Sequence, residues 1–154
     1  KNIKSIFWLN GYNLIMKKNI SIISKFNSKT DLPSIKDAPN IWGGGTMLIP
    51  NPKEVMKIMD SVKYGTVITL DDIREKLSKK YKTTITCPMT TGIFVSLVSK
   101  ASNNGEVDVP YWRTLKKNYE LNPKFPGGLE GHAKQLKAEG HIIIQKGKKY
   151  FLDR

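Results

Sequence analysis

Sharply marked helix starts constrain the fold of this chain more than any other feature. Pro52 suits the first turn of a helix, where its missing N–H costs nothing, and Val55, Ile58, Met59 and Val62 give that helix one apolar face to about Val62. Thr69-Leu70-Asp71-Asp72 is a cap signature, with Thr69 as N-cap and Asp72 three residues on, opening a helix to about Lys80 with Ile73 and Leu77 inward. Cys87-Pro88 opens a third, in which Met89, Ile93, Phe94, Leu97, Val98 and Ala101 keep a helical period and Asn103-Asn104-Gly105 stops it. Pro126-Gly127-Gly128 precedes a fourth, with Leu129, Ala133 and Leu136 inward and Gly140 as its end.

Between the helices the residues favour strands. Thr66–Ile68 is a short β-like run and Lys82–Thr86 is β-tolerant. Val107–Leu115 and Tyr119–Leu121 read as two strands of a wing joined at Lys117-Asn118. Ile142–Ile144 and Tyr150–Leu152 read as a hairpin around Gln145–Lys149. Two closely joined helices followed by a β-wing predict an α+β fold, a small winged helix-turn-helix domain over residues 46–154. Residues 1–45 show no sustained period and contain Pro33, Pro39 and Gly43-Gly44-Gly45, so they read as a flexible basic arm with one short helix at most, anchored by Trp42. Met16-Lys17-Lys18-Asn19 resembles an ordinary start, which would make residues 1–15 an upstream extension.

Net charge narrows the partner. The chain carries 26 Lys+Arg against 13 Asp+Glu, a formal +13, which favours a polyanion, nucleic acid before an anionic membrane. A merely solubilising surface is the plainer alternative. Basic residues outnumber acidic ones 7 to 2 over residues 1–50 and 10 to 4 over residues 111–154, but only 9 to 7 between them. Nearly all are lysines, which suit sequence-blind phosphate contact. One cysteine, Cys87, excludes an intrachain disulfide. No apolar run is long enough to span a membrane, and Asn10, Gly11 and Asn13 interrupt Ile6–Ile15, against a signal peptide. A cytoplasmic protein is expected.

The stretch Val109-Pro110-Tyr111-Trp112-Arg113-Thr114-Leu115 sets two large aromatics beside an arginine, with no nucleophile, general base or metal-ligand set. His132 and His141 also lack metal-ligand spacing, and neither a metal nor another cofactor is expected.

Roughly residues 47–145 resemble the C-terminal DNA-binding domain of the DNA alkyltransferases, which move alkyl groups from guanine O6 onto their own cysteine. The resemblance rests on Gly65-Thr66-Val67-Ile68-Thr69, on Val109-Pro110 leading into an arginine-bearing segment, and on Pro126-Gly127-Gly128-Leu129 followed by Lys137-Ala138-Glu139-Gly140-His141. The family's Pro-Cys-His-Arg motif reads Pro110-Tyr111-Trp112-Arg113 here, and its glutamate falls on Ala133. The acceptor thiol, its histidine and the residue that polarises the histidine are all replaced. A phenol with an ordinary pKa near 10 is a poor substitute for an activated thiol, so alkyl transfer by the family's route is excluded. In this the chain resembles the alkyltransferase-like proteins, which lack the acceptor cysteine and flag alkylated guanine for excision repair.

The resemblance implies a set of site residues. The tyrosine that helps rotate the target nucleotide corresponds to Leu70, and the arginine that fills the gap in the base stack to Met89 or Thr90. Apolar residues can wedge between bases in the same way. The hinge asparagine corresponds to Asn103 or Asn104. With Thr91, in the unusual segment Thr86–Phe94, and with Tyr111, Trp112 and Arg113, these form the expected base-contacting set. Independently of the resemblance, the lysine-rich charge makes Lys116, Lys117, Lys146 and Lys148 the expected phosphate contacts. Each has a plainer alternative: Tyr111 or Trp112 as core, Arg113 bonded to backbone carbonyls, Lys146, Lys148 and Lys149 as a solvated loop. Cys87 reads as a small buried residue, with a relocated alkyl acceptor as the alternative. The expected partner is double-stranded DNA, alkylated or not, with a repair-pathway protein behind it and no membrane. The expected function is non-enzymatic binding of alkylated guanine in duplex DNA. A residual alkyltransferase using Cys87 and a generic winged-helix regulator are the alternatives.

Overall fold

A computed structural model describes residues 21–154; the expectation about residues 1–15 lies outside them. The helix starts are where the sequence sets them. Asn51 caps α2 (Pro52–Asp60), its Oδ1 accepting from Lys53 N at 2.9 Å. Thr69 and Asp72 exchange side-chain and backbone bonds at the start of α3 (Leu70–Tyr81). Cys87 caps α4 (Pro88–Asn103). The fourth expected helix is α5 (Gly128–Ala138).

The arm is not an arm in its second half. α1 (Ile22–Asn27) is capped by Ser21, whose Oγ accepts from Ser24 N. Its Phe26 is 2% exposed and meets Phe94 edge-on, ring centroids 6.1 Å apart. Beyond it, β1 (Ser34–Asp37) pairs antiparallel with β2 (Thr46–Ile49), and β2 pairs parallel with β4 (Ile85–Thr86), giving a sheet of order β1-β2-β4. Gly45 turns the chain into β2 with φ +79°, and a Cβ there would lie 2.3 Å from the Thr84 hydroxyl. That hydroxyl accepts from Thr46 N, so only glycine lets the strands close. Trp42 packs on Ala38, Met47 and Cys87. The folded unit thus begins before residue 46. Packing against α4 and pairing with β2, not local composition, order this stretch.

The wing at 107–121 is also corrected. Pro110 has no N–H to donate to a ladder, and Tyr111 N bonds Val109 O at 2.7 Å, closing a tight turn. Tyr111–Arg113 is a single 3-10 turn, and Thr114–Leu115 is a two-residue β5 paired parallel with β3 (Ile68–Thr69). Asn118 has a positive φ inside a second 3-10 turn, Lys117–Tyr119. Leu121 N then bonds Tyr150 O, so this strand-like residue joins the C-terminal hairpin of β6 (Ile143–Lys146) and β7 (Lys149–Leu152). Among the described residues the fold is α+β, with three small sheets and α4 in the centre.

One core lies around α4. Val55 and Met59 of α2, Ile73 and Leu77 of α3, and Phe94, Val95 and Val98 of α4 meet there with Phe26, Val109, Tyr111 and Phe125. Burying each such side chain contributes about 1.5–3 kcal/mol. A second cluster, Leu115, Leu121, Ala133, Leu136 and Leu152, seats α5 against the C-terminal hairpin. Among the described residues no helix is long and apolar enough to cross a membrane.

Candidate nucleic-acid interface

Tyr111 stands where the resembling family keeps its nucleophile, and the structure puts its ring in the core, 7% exposed. The ring meets Trp112 and Phe125 edge-on, each with centroids 5.3 Å apart, and Phe125 in turn lies 4.8 Å from the His132 ring. Burial pushes the Tyr111 phenol above its ordinary pKa. His132 is fully buried. Its Nδ1 accepts from Asn122 N at 3.0 Å, and its Nε2, in the tautomer this requires, donates to Trp112 O at 2.8 Å. Burial lowers its pKa to about 4, against the smaller raising effect of the Trp112 carbonyl. Tyr111, Phe125 and His132 therefore form a neutral plug, and Ala133 beside them is 2% exposed.

Trp112 and Arg113 point the other way, into a buried polar knot. The Trp112 indole N–H donates to Glu139 Oε2. Arg113 Nε donates to Glu139 Oε1 at 2.8 Å, Gly65 N donates to the same oxygen at 3.1 Å, and Arg113 Nη1 donates to Val62 O at 2.7 Å. The side chains of Arg113 and Glu139 are 14% and 5% exposed. The guanidinium ties α5 to the ends of α2 and the Gly65 turn, and is not presented to a phosphate.

Three of the expected contacts do converge. Leu70 at the start of α3, Met89 in the first turn of α4 and Lys116 after β5 line one groove of about 440 Å³. Its floor and far wall come from residues the sequence reading did not select: Ile93, one turn on from Met89, and Asn122, Pro123 and Lys124 of the loop before α5. Met89 and Ile93 are 65% and 53% exposed, an apolar pair on the outer side of a helix whose inner side is filled by Phe94, Val95 and Val98. The i, i+4 spacing is legible in the sequence, but the helical period alone does not separate this outward pair from Phe94 and Val98. Nothing local marks the 122–124 loop, which His132 holds in place from α5.

The other expected contacts lie elsewhere. Thr91 is fully buried, its hydroxyl donating to Cys87 O at 2.7 Å, so it belongs to the core of α4. Thr90 is half-buried, and its N–H caps onto Cys87 Sγ at 3.5 Å. Asn103 is exposed at the last turn of α4, about 21 Å along the axis from Met89 at 1.5 Å per residue. Lys117 faces a second surface depression with Arg74 and Glu75. Lys146 and Lys148 are exposed near the tip of the C-terminal hairpin, with Lys146 Nζ 5.6 Å from the Phe151 ring. Cys87 is 6% exposed. Among the described residues no three His, Cys, Asp or Glu side chains gather as a metal site.

No family model matches the chain, and a search of curated proteins finds no match. Two solved structures are similar to it. One is S. pombe Atl1 in complex with damaged DNA containing O6-carboxymethylguanine, at a TM-score of 0.46 and 20% identity, covering 66% of this chain and 87% of that one. The other is S. pombe ATL in complex with DNA, at 0.45 and 19%, with the same coverage of each chain.

Proposed function

We propose that the protein binds double-stranded DNA without chemical turnover, through the first turns of α4 and the groove beside them, and that alkylated guanine is the lesion it marks for a repair pathway. The observation that carries this is the exposed Met89–Ile93 pair flanked by Lys116 and Lys124. An apolar wedge between cationic rims suits a partner with stacked bases between phosphate strands. The formal +13 supplies the long-range attraction. The alkylated-guanine assignment rests on the sequence resemblance around Pro110–Arg113 and Pro126–Leu129. The missing thiol at Tyr111 and the burial of Cys87 speak against transfer of the alkyl group.

Fluorescence anisotropy with a labelled duplex, carrying guanine or O6-methylguanine at one position, tests the reading. Binding is expected to weaken steeply as salt rises, because bound counterions are released from the phosphates. Met89→Ser with Ile93→Ser is expected to weaken binding about tenfold or more while leaving the melting temperature within a few degrees, since both side chains face solvent. Equal affinity for both duplexes would remove the lesion reading and leave a general DNA-binding regulator. Absence of duplex binding would refute the whole proposal.

A further inference from the structure

α2 and α3 meet α4 through Val55, Met59 and Ile73, and a second groove of about 430 Å³ lies between the two helices. It shares no residue with the groove at Met89. Glu54, Lys57 and Ile58 of α2 and its C-cap Ser61 line it at i, i+3, i+4 and i+7, a single helix face. Lys76, Leu77 and Lys80 line it from α3. Leu77, 2% exposed, and the half-buried Ile58 form an apolar floor. The rim is basic. Residues 51–110 are nearly balanced, with 9 Lys+Arg to 7 Asp+Glu, yet this groove gathers three lysines and one carboxylate. That carboxylate is already committed, since Glu54 accepts from Lys80 Nζ at 2.7 Å and from the Tyr81 hydroxyl. Lys57 and Lys76 are exposed and, among the described residues, make no ion pair.

We infer that the α2–α3 groove docks an amphipathic helix of an acidic partner protein, with an apolar side chain on Ile58 and Leu77 and carboxylates against Lys57 and Lys76. Charge selects this occupant. Residues 1–20 carry four lysines and no acidic residue, and a second copy of the chain brings a formal +13, so neither suits a lysine rim. A phosphate strand would satisfy the lysines but leave the apolar floor uncovered. A helix with acidic and apolar residues one turn apart satisfies both, laying its apolar face into the groove. The aliphatic stems of the lysines extend that floor while their ammonium groups stay at the rim. Because the two grooves have no residue in common, a partner here leaves Met89 and Ile93 open, and the inference stands whether or not the α4 groove binds DNA.

The test uses the full chain and three labelled helical peptides of equal length, read by fluorescence anisotropy. The first has leucines at i and i+4 among aspartates and glutamates. The second replaces those leucines with serine, and the third keeps them and replaces every acidic residue with lysine. The first is expected to bind with a Kd at or below about 100 μM, and the other two at least about tenfold more weakly. Lys57→Glu with Lys76→Glu is expected to keep the melting temperature, to lose about tenfold for the acidic peptide and to gain binding of the lysine peptide. Such an exchange of preference does not arise from loss of fold. Absence of saturable binding by the acidic peptide overturns the proposal. Equal binding of the leucine and serine peptides does so too, because only charge is then at work. So does a double variant that keeps the wild-type preference, or competitive displacement of the acidic peptide by an unlabelled duplex, which would put both ligands on one surface. A protein that binds no duplex would refute the reading of the α4 groove and leave the peptide outcomes untouched.

Discussion

Glu139→Ala should be among the more damaging single substitutions outside the apolar core. The Glu139 side chain is 5% exposed and accepts from three donors: Trp112 Nε1, Arg113 Nε and Gly65 N. Truncation leaves all three without that acceptor and leaves Arg113, whose side chain is 14% exposed, without its counter-charge. Removing one member of a buried ion pair costs about 3–5 kcal/mol. Arg113 keeps Val62 O at 2.7 Å and lies 5.6 Å from the Tyr64 ring, so about 3 kcal/mol is the expected loss. For a chain of 154 residues that lowers Tm by roughly 6–12 °C. Urea unfolding followed by far-UV circular dichroism gives the loss directly. Glu139→Gln keeps an acceptor oxygen and should lose about half as much. The pH dependence has a defined sign. Burial pushes the Glu139 carboxyl up, but the bonds from Trp112, Gly65 and Arg113 outweigh it and hold the pKa below 4.5. A depressed folded pKa means that the stabilisation is fully present above the ordinary carboxylate range and is lost as pH falls through the folded value. The gap between wild type and Glu139→Gln should therefore narrow in acid. A loss under about 1 kcal/mol for Glu139→Ala at neutral pH, or a gap that widens in acid, would refute the reasoning.

Two further outcomes bear on Tyr111 and Cys87. Tyr111→Ala should cost about 3–5 kcal/mol in the same unfolding assay, as expected for a buried aromatic, whereas Tyr111→Phe should cost under about 1 kcal/mol and leave DNA affinity unchanged. Cys87 should react with a thiol reagent far more slowly in the native protein than in urea, and intact-mass spectrometry after incubation with O6-methylguanine DNA should show no methyl adduct; an adduct on Cys87 would restore the alkyltransferase alternative.

Local chemistry decided what could be read in advance. The starts of α2, α3 and α4 were legible because a cap or a first-turn proline acts within three residues of itself. The ordering of residues 21–45 was not, because Phe26 is fixed by Phe94 and β1 by β2, contacts that a polar, proline-bearing stretch does not announce. Val107–Leu115 misled for the opposite reason. Its β-branched and aromatic residues have strand propensity, but the Pro110 turn and the 3-10 turn after it override it, and only Thr114–Leu115 pairs as a strand. The same held at the site. Leu70 and Met89 follow from the family pattern and Lys116 from the basic charge, while Asn122 and Lys124 depend on a loop held by His132 from another helix.

The buried plug around Tyr111 also connects to the groove beside α4. Tyr111 packs on Phe125, Phe125 on His132, and His132 holds the backbone of Asn122. A smaller residue at 111 would therefore not act on the core alone. It would loosen the support of the loop that walls the groove, because a core void is felt by every side chain packed around it. Burial holds the His132 pKa near 4, so the ring stays neutral across the physiological pH range and keeps accepting from Asn122 N. The packing around Tyr111 and the wall of the groove therefore form one contiguous structure, and Tyr111→Ala is expected to weaken both.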